Sequence, residues 1–204
     1  MVVGVDFDNT LINYDDVFFC RAVDLGLVKD VPILQKRQVR DQLRLLPDGE
    51  TWWQRLQAYV YTKGMAQARL IKGVNDFFAA CQQKGIQTYI ISHKTEYSEF
   101  DQDRLSLRQA ALGWMKTNGF FDPTGLGLST TQVYFESTRA AKIERIKFLR
   151  CTHFIDDLEE VFLEKIFPAG VDRILYAPQE VSSLPSDIKV FNSWEKIHGH
   201  IFRA

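Results

Sequence analysis

Cysteine is scarce in this chain. Cys20, Cys81 and Cys151 are odd in number, widely spaced and form no CxxC pair. That excludes a disulfide framework and a structural zinc site of the usual spacing, and points to a reducing compartment in which all three act as small buried apolar residues. Long hydrophobic runs are also missing: none approaches the ~18 residues that a membrane span requires. The N-terminus passes straight into an apolar stretch, MVVGVDF, with no basic segment and no small-residue cleavage site. An excess of one charge is lacking too. Lys and Arg total 25, Asp and Glu 26, for a formal net charge of −1 and a pI near 6.4. This removes the electrostatic footprint of a general nucleic-acid binder and of a polybasic membrane anchor. The expectation is a soluble, cytoplasmic protein with no nucleic-acid polymer and no membrane among its partners. No internal repeat, low-complexity tract or Gly/Ser linker is present, so a second module must be inserted rather than tethered.

What remains is ordinary globular material. The chain has 204 residues, 46% of them apolar and 25% charged, enough to bury roughly 70% of the unfolded surface in one domain with a modest insertion. Val2 to Phe7 is short and almost wholly apolar, as strands of a parallel sheet covered on both faces are. Ile86–Ile91, Gln132–Phe135, Thr152–Ile155, Arg173–Tyr176 and Ile188–Phe191 read as further strands. Helical segments Val74–Lys84, Arg139–Leu149, Leu158–Ile166 and Trp194–Phe202 alternate with them, which implies a parallel, doubly wound α/β sheet of Rossmann-like type. Two stretches break the rhythm. Residues 13–73 hold three helical patterns, near 15–24, 32–46 and 50–62, and no convincing strand. At that length they exceed a βα loop of ~2–6 residues and form an inserted small helical module. The core is therefore expected from 1–12 and 74–204. Residues 93–131 carry a polar loop, a helix near Leu105–Thr117 and a Gly/Pro-rich turn.

In such a sheet, ligands bind at the carboxyl ends of the strands, near the point where strand order reverses. Asp6, Asp8, Asn9 and Thr10 follow the first strand, Ser92, His93 and Lys94 the second, and Asp156 and Asp157 the fourth. Lys142 lies one turn into the helix before that fourth strand. Carboxylates gathered in one crevice must protonate or share a cation, and a few hard oxygen donors with room for water and phosphate oxygens suit Mg²⁺. A cation beside a nucleophilic carboxylate, completed by a lysine and a hydroxyl, points to phosphoryl transfer through an aspartyl-phosphate.

At these positions the chain resembles the haloacid dehalogenase (HAD) superfamily. Asp6-Phe7-Asp8-Asn9-Thr10 matches its DxDx[TV] signature, Ser92 its second motif, Lys142 its third and Asp156-Asp157 its fourth, in the same order. The insertion at 13–73 sits where the C1-type helical caps of that family are found. The resemblance implies a HAD-like Rossmannoid core and a Mg²⁺-dependent phosphohydrolase cleaving a small phosphorylated metabolite. It also implies roles. Asp6 would be the nucleophile and a metal ligand. Asp8 would be the acid and then the base, its backbone carbonyl on the metal. Ser92 and Lys142 would hold the phosphoryl group. Asp157 would be the direct metal ligand and Asp156 a more distant one, or the reverse. An acid at Asp8 fits the phosphatase branch, since the true dehalogenases lack it.

Plainer readings exist for each residue. Asp6 and Asp8 suit a turn, Ser92 a helix N-cap, and Asp156 or Asp157 a cap on the next helix. Lys142 has Lys94 and Lys147 as competitors and could belong to a solvated helix face. His93 and Lys94 either reach substrate or serve the scaffold. Trp52, Trp53 and Arg55 either line a pocket or pack. Two other functions use similar residues: a phosphomutase or phosphotransferase sharing the intermediate, and a non-catalytic phosphoryl-accepting switch of the receiver kind, whose acceptor follows a middle strand. A catalytically dead scaffold would need a missing motif residue, and none is missing.

Overall fold

The computed structural model describes residues 1–29, 34–179, 181 and 184–202. The N-terminal apolar run forms β1 (Val2–Val5), followed by a two-residue strand β2 (Ile12–Asn13) and three helices, α1 (Asp15–Asp24), α2 (Lys36–Leu43) and α3 (Gly49–Val60). A short 3-10 turn at Met65–Gln67 and β3 (Arg69–Leu70) lead to α4 (Val74–Gln83) and β4 (Gln87–His93). After α5 (Leu107–Thr117) come β5 (Val133–Glu136), α6 (Arg139–Phe148), β6 (His153–Asp156), α7 (Glu159–Leu163), β7 (Asp172–Tyr176), β8 (Ile188–Phe191) and α8 (Trp194–Phe202). Among the described residues, no helix is long and apolar enough to cross a membrane.

Six strands make one sheet in the order β5-β4-β1-β6-β7-β8, and every neighbouring pair is parallel. From β1 the chain steps outward through β4 to β5, then returns to the other side of β1 and proceeds through β6, β7 and β8. Strand order thus reverses between β1 and β6. Such sheets are buried on both faces, which is why these strands lack polar alternation. Ile91, Phe154 and Leu175 face the layer containing Ile143 and Ile146 of α6 and Phe162 of α7. On the opposite face α4 packs against α8, with Phe77 5.0 Å from Trp194 and Trp194 6.2 Å from Tyr176 of β7.

The chain divides into two compact units. One comprises residues 1–11, 70–94 and 118–204, and the other 12–69 and 95–117. Residues 95–117, including α5, thus group with the helical unit, although sequence places them in the core segment 74–204. Within the helical unit α1, α2 and α3 pack on one another. The buried aromatics Tyr14, Phe18 and Trp53 join Tyr61 there, with Phe18 and Trp53 stacked at 5.0 Å. Trp53 is a packing residue of that unit, while Arg55 lies over the ring of Trp52.

Several element boundaries differ from the sequence expectation. The expected helix 158–166 is only the five residues of α7, because Glu164 is extended and Phe167, just before Pro168, turns in to meet Phe162 at 5.4 Å. The pattern at 32–46 yields α2 alone; positions 32–33 lie outside the described residues. Ser92 and Asp156, placed by sequence just after their strands, are members of β4 and β6. Cys81 and Cys151 are buried, and burial pushes both thiols up to about 12. Cys20 is a correction: it is exposed, because the buried stripe of α1 runs through Val17, Phe18 and Ala22 and turns position 20 outward.

Two predictions concern the core. A Cβ at Gly4 would lie 2.7 Å from the Phe154 ring and 3.0 Å from Cys151 Sγ, and that ring is held by Phe162 and Phe167. Gly4→Ala is therefore expected to cost about 1–3 kcal/mol of overpacking, read as a lower urea midpoint at unchanged slope. At the amino ends of β6 and β7, His153 lies 3.9 Å from Asp172, which also accepts from Lys189 and His200. Burial lowers the His153 pKa below 6.5; Asp172 opposes this, while His200, Lys189 and the N-terminal amine reinforce it. The fold thus favours the neutral ring. Its contribution is complete above pH 6.5 and declines as pH falls below that value. Urea midpoints at pH 7.5 and pH 5 should differ less in His153→Gln than in wild type.

Candidate active site

The site forms where strand order reverses. The Asp6 N–H donates to the Ile155 carbonyl at 2.8 Å, carrying the β1–β6 ladder one residue past Val5. Asp6 and Asp156 are thereby brought to neighbouring strand ends. The chain then turns sharply, with Asn9 left-handed at φ 60°, a conformation that Asn tolerates better than most residues. Thr10 is fully buried behind the turn, and its carbonyl accepts a 2.9 Å hydrogen bond from Trp194 Nε1.

Lys142 joins the two strand ends. Thr138 caps α6 through its side chain, accepting from the Ala141 N–H at 3.1 Å, and this sets the helix entry so that Lys142 follows one turn later. Its ammonium is buried and donates 2.6 Å hydrogen bonds both to Asp6 Oδ1 and to Asp156 Oδ2. Burial works to lower the Lys142 pKa, but the charges of Asp156 and Asp6 outweigh it and hold the value above the ordinary lysine range. Asp156 is fully buried, and desolvation pushes its carboxyl above the usual range in spite of Lys142. The other Asp156 oxygen accepts from the Leu158 N–H at 3.0 Å, closing a turn ahead of α7, and neither Asp156 nor Asp157 caps that helix through its side chain.

Asp157 is half-buried. The Thr10 hydroxyl lies 3.3 Å from its Oδ1 and 3.5 Å from Asp6 Oδ2, and its single proton serves one acceptor at a time. Asp6, Asp156 and Asp157 each offer a carboxylate oxygen within 4.8 Å of the others. Hard oxygen donors at this spacing fit a divalent cation of the Mg²⁺ kind. Asp156 is the most deeply buried of the three and is bonded through both oxygens, while Asp6 and Asp157 share the Thr10 hydroxyl.

The remaining sequence candidates lie along the same edge. Ser92 is buried near the end of β4, two residues past Ile90, the partner of Val5 in β1. His93 is exposed and hydrogen-bonds the Ser137 carbonyl at 3.1 Å, a tie between β4 and the approach to α6. Lys94 is buried, and its ammonium lies 2.7 Å from Asp8 Oδ2. Lys94 and Lys142, rivals for one role in the sequence, hold different acids: Lys94 pairs with Asp8, and Lys142 with Asp6 and Asp156. Thr10 and Trp194 had no assigned role; the DxDxT pattern hinted at the first, and nothing local could have revealed the second.

No protein-family model matches the chain, and no curated protein matches it. Solved structures do. A HAD-superfamily hydrolase from Ehrlichia chaffeensis aligns over 99% of this chain and 96% of its own, with a TM-score of 0.53 and 16% identity. A haloacid dehalogenase-like family hydrolase from Xanthomonas campestris aligns over 98% and 94%, with a TM-score of 0.54 and 14% identity. A HAD family hydrolase from Deinococcus radiodurans, with bound phosphate and sodium, aligns over 99% and 95%, with a TM-score of 0.54 and 15% identity. The chain has the HAD fold.

The buried charge triad generates a stability prediction. Lys142→Met leaves two desolvated carboxylates without their shared cation and should cost about 3–5 kcal/mol in urea unfolding. Adding Asp156→Asn removes one of those charges and should recover a substantial part. A double variant no more stable than Lys142→Met would show that the cost is not electrostatic.

Proposed function

We propose that this protein is a Mg²⁺-dependent phosphohydrolase that cleaves the phosphate monoester of a small metabolite through an aspartyl-phosphate on Asp6. The observation that carries this reading is Lys142, whose ammonium sits 2.6 Å from both Asp6 and Asp156 at the reversal of strand order. It holds the Asp6 carboxylate at the place where such folds receive ligands. In the first half-reaction Asp6 attacks phosphorus, the P–O bond to the alcohol breaks, and Asp8 supplies the proton that the departing oxygen needs. In the second, water attacks the same phosphorus, Asp8 takes the proton of that water, and the Asp6 carboxylate is released with inorganic phosphate. Ser92 and Lys142 hold phosphoryl oxygens. Asp6, Asp156 and Asp157, with the Asp8 carbonyl, would hold a cation that neutralises phosphoryl charge and lets one anion approach another.

Other findings support this reading. The Deinococcus radiodurans neighbour carries phosphate and sodium on the same fold. The strand order, equivalent to 3-2-1-4-5-6, differs from the 2-1-3-4-5 order of receiver domains, which weighs against a phosphoryl-accepting switch. In this proposal residues 13–73 supply the substrate-selecting cap and the protein works in the cytoplasm.

The test is release of phosphate from p-nitrophenyl phosphate with and without Mg²⁺. Asp6→Asn should abolish turnover, and Asp8→Asn should lower kcat by about 10²–10⁴ through loss of acid–base work. Chelation should silence the wild type, and added Mg²⁺ should restore it. Wild-type turnover by Asp6→Asn would end this mechanism.

A further inference from the structure

We propose that Lys94 is a positioning residue for proton transfer: its buried ammonium holds the carboxylate of Asp8 in the orientation from which that acid serves the leaving oxygen. The inference rests on the phosphohydrolase reading and adds to it a residue outside the four motifs.

The geometry differs from that of a surface ion pair. Only 3% of the Lys94 side chain is exposed, against 19% for Asp8, so the cation lies deeper than the acid it holds. Exposed pairs contribute little, whereas a buried ammonium must be neutralised where it sits. Lys94 is also anchored through its backbone: its N–H donates to the Glu136 carbonyl at 2.8 Å, where β4 and β5 end. Burial alternates along Ser92, His93 and Lys94, with His93 outward and its neighbours inward, as strand geometry requires. The ammonium lies 5.9 Å from the ring of Phe7, a fully buried residue between Asp6 and Asp8. Lys94 thus packs along the Asp6–Asp8 segment and grips its far end, while Lys142 grips the near end. A carboxylate on a short turn has several rotamers, and proton transfer tolerates only those within hydrogen-bond reach of the reacting oxygen. Fixing one oxygen of Asp8 at 2.7 Å from a rigidly mounted cation restricts that choice.

A positioning role makes the damage depend on the leaving group. Up to aspartyl-phosphate formation, the steps that kcat/KM reports, p-nitrophenolate departs with little need of a proton, whereas an alkoxide requires one. The experiment measures kcat/KM with Mg²⁺ for p-nitrophenyl phosphate and for a primary alkyl phosphate, in wild type, Lys94→Met, Lys94→Arg, Asp8→Asn and the Asp8→Asn/Lys94→Met double variant. Lys94→Met should lose about 10²-fold or more on the alkyl phosphate and no more than a few-fold on the aryl phosphate. Lys94→Arg should recover part of the alkyl activity. The double variant should be no worse on the alkyl phosphate than Asp8→Asn alone. Equal losses on both substrates would overturn the proposal, since they would mark Lys94 as a phosphoryl-binding or purely structural residue. If Lys94→Met does not fold, Lys94→Gln, which keeps an N–H donor, is judged by the same ratio. A wild type active on neither substrate would overturn the phosphohydrolase reading itself, and this inference with it.

Discussion

A buried ammonium shared by two buried carboxylates is the constraint around which this molecule is arranged. Lys142 can sit at 2.6 Å from both Asp6 and Asp156 only if β1 and β6 are adjacent, parallel and in their observed register, and if α6 enters at the angle its Thr138 cap dictates. Removing three charges from water is expensive, and their mutual attraction repays that cost only when the geometry is close to ideal. The sheet order and the strand ends are therefore part of the same electrostatic problem as the site. The burial that makes the arrangement costly also makes it specific, because a misregistered β6 would leave Lys142 without its acids.

Most of the architecture was legible because parallel strands buried on both faces leave continuous apolar runs, which even a short sequence shows. What was not legible is where those runs stop. Ser92 and Asp156 are polar, so side-chain pattern ends the strands before them, yet the backbone ladder continues beneath: Ser92 pairs with Phe135, and Asp156 with Leu175. The helix expected at 158–166 is shorter in the structure for a related reason. Its apolar spacing was sound, but tertiary packing of Phe167 withdrew the second half. Cys20 departs from the expected burial because helix face, and not residue type, decides exposure there. The grouping of 95–117 with the helical unit follows from packing such as the Trp114 indole donating to the Ala68 carbonyl, a contact no local pattern announces.

The candidate site was legible to a different depth at each residue. Asp6, Asp156, Asp157 and Lys142 could be named because strand ends and helix starts are detectable and the fold brings them together. Lys94 could be noticed but not placed, since sequence does not reveal which of two lysines a given acid receives. Trp194 was out of reach: its hydrogen bond to the Thr10 carbonyl spans nearly the whole chain. That bond still matters locally, because it fixes the residue whose hydroxyl lies between Asp6 and Asp157.

The two lysines divide the charge of the site in a way that bears on the cation. Asp6, Asp8, Asp156 and Asp157 converge on one edge of the sheet, and Lys94 and Lys142 answer them with two positive charges. With every acid ionised, these six residues carry a net charge of minus two before any phosphate arrives. A phosphate monoester would bring further negative charge; Lys142, with two of its three N–H groups on Asp6 and Asp156, can give the third to a phosphoryl oxygen, but the charges of both lysines are already matched by carboxylates. Neutralisation must come from outside the protein, or from protonation of an acid. A divalent ion among Asp6, Asp156 and Asp157, as proposed, would offset that imbalance, while Asp156 is held in place by an ammonium and a backbone N–H.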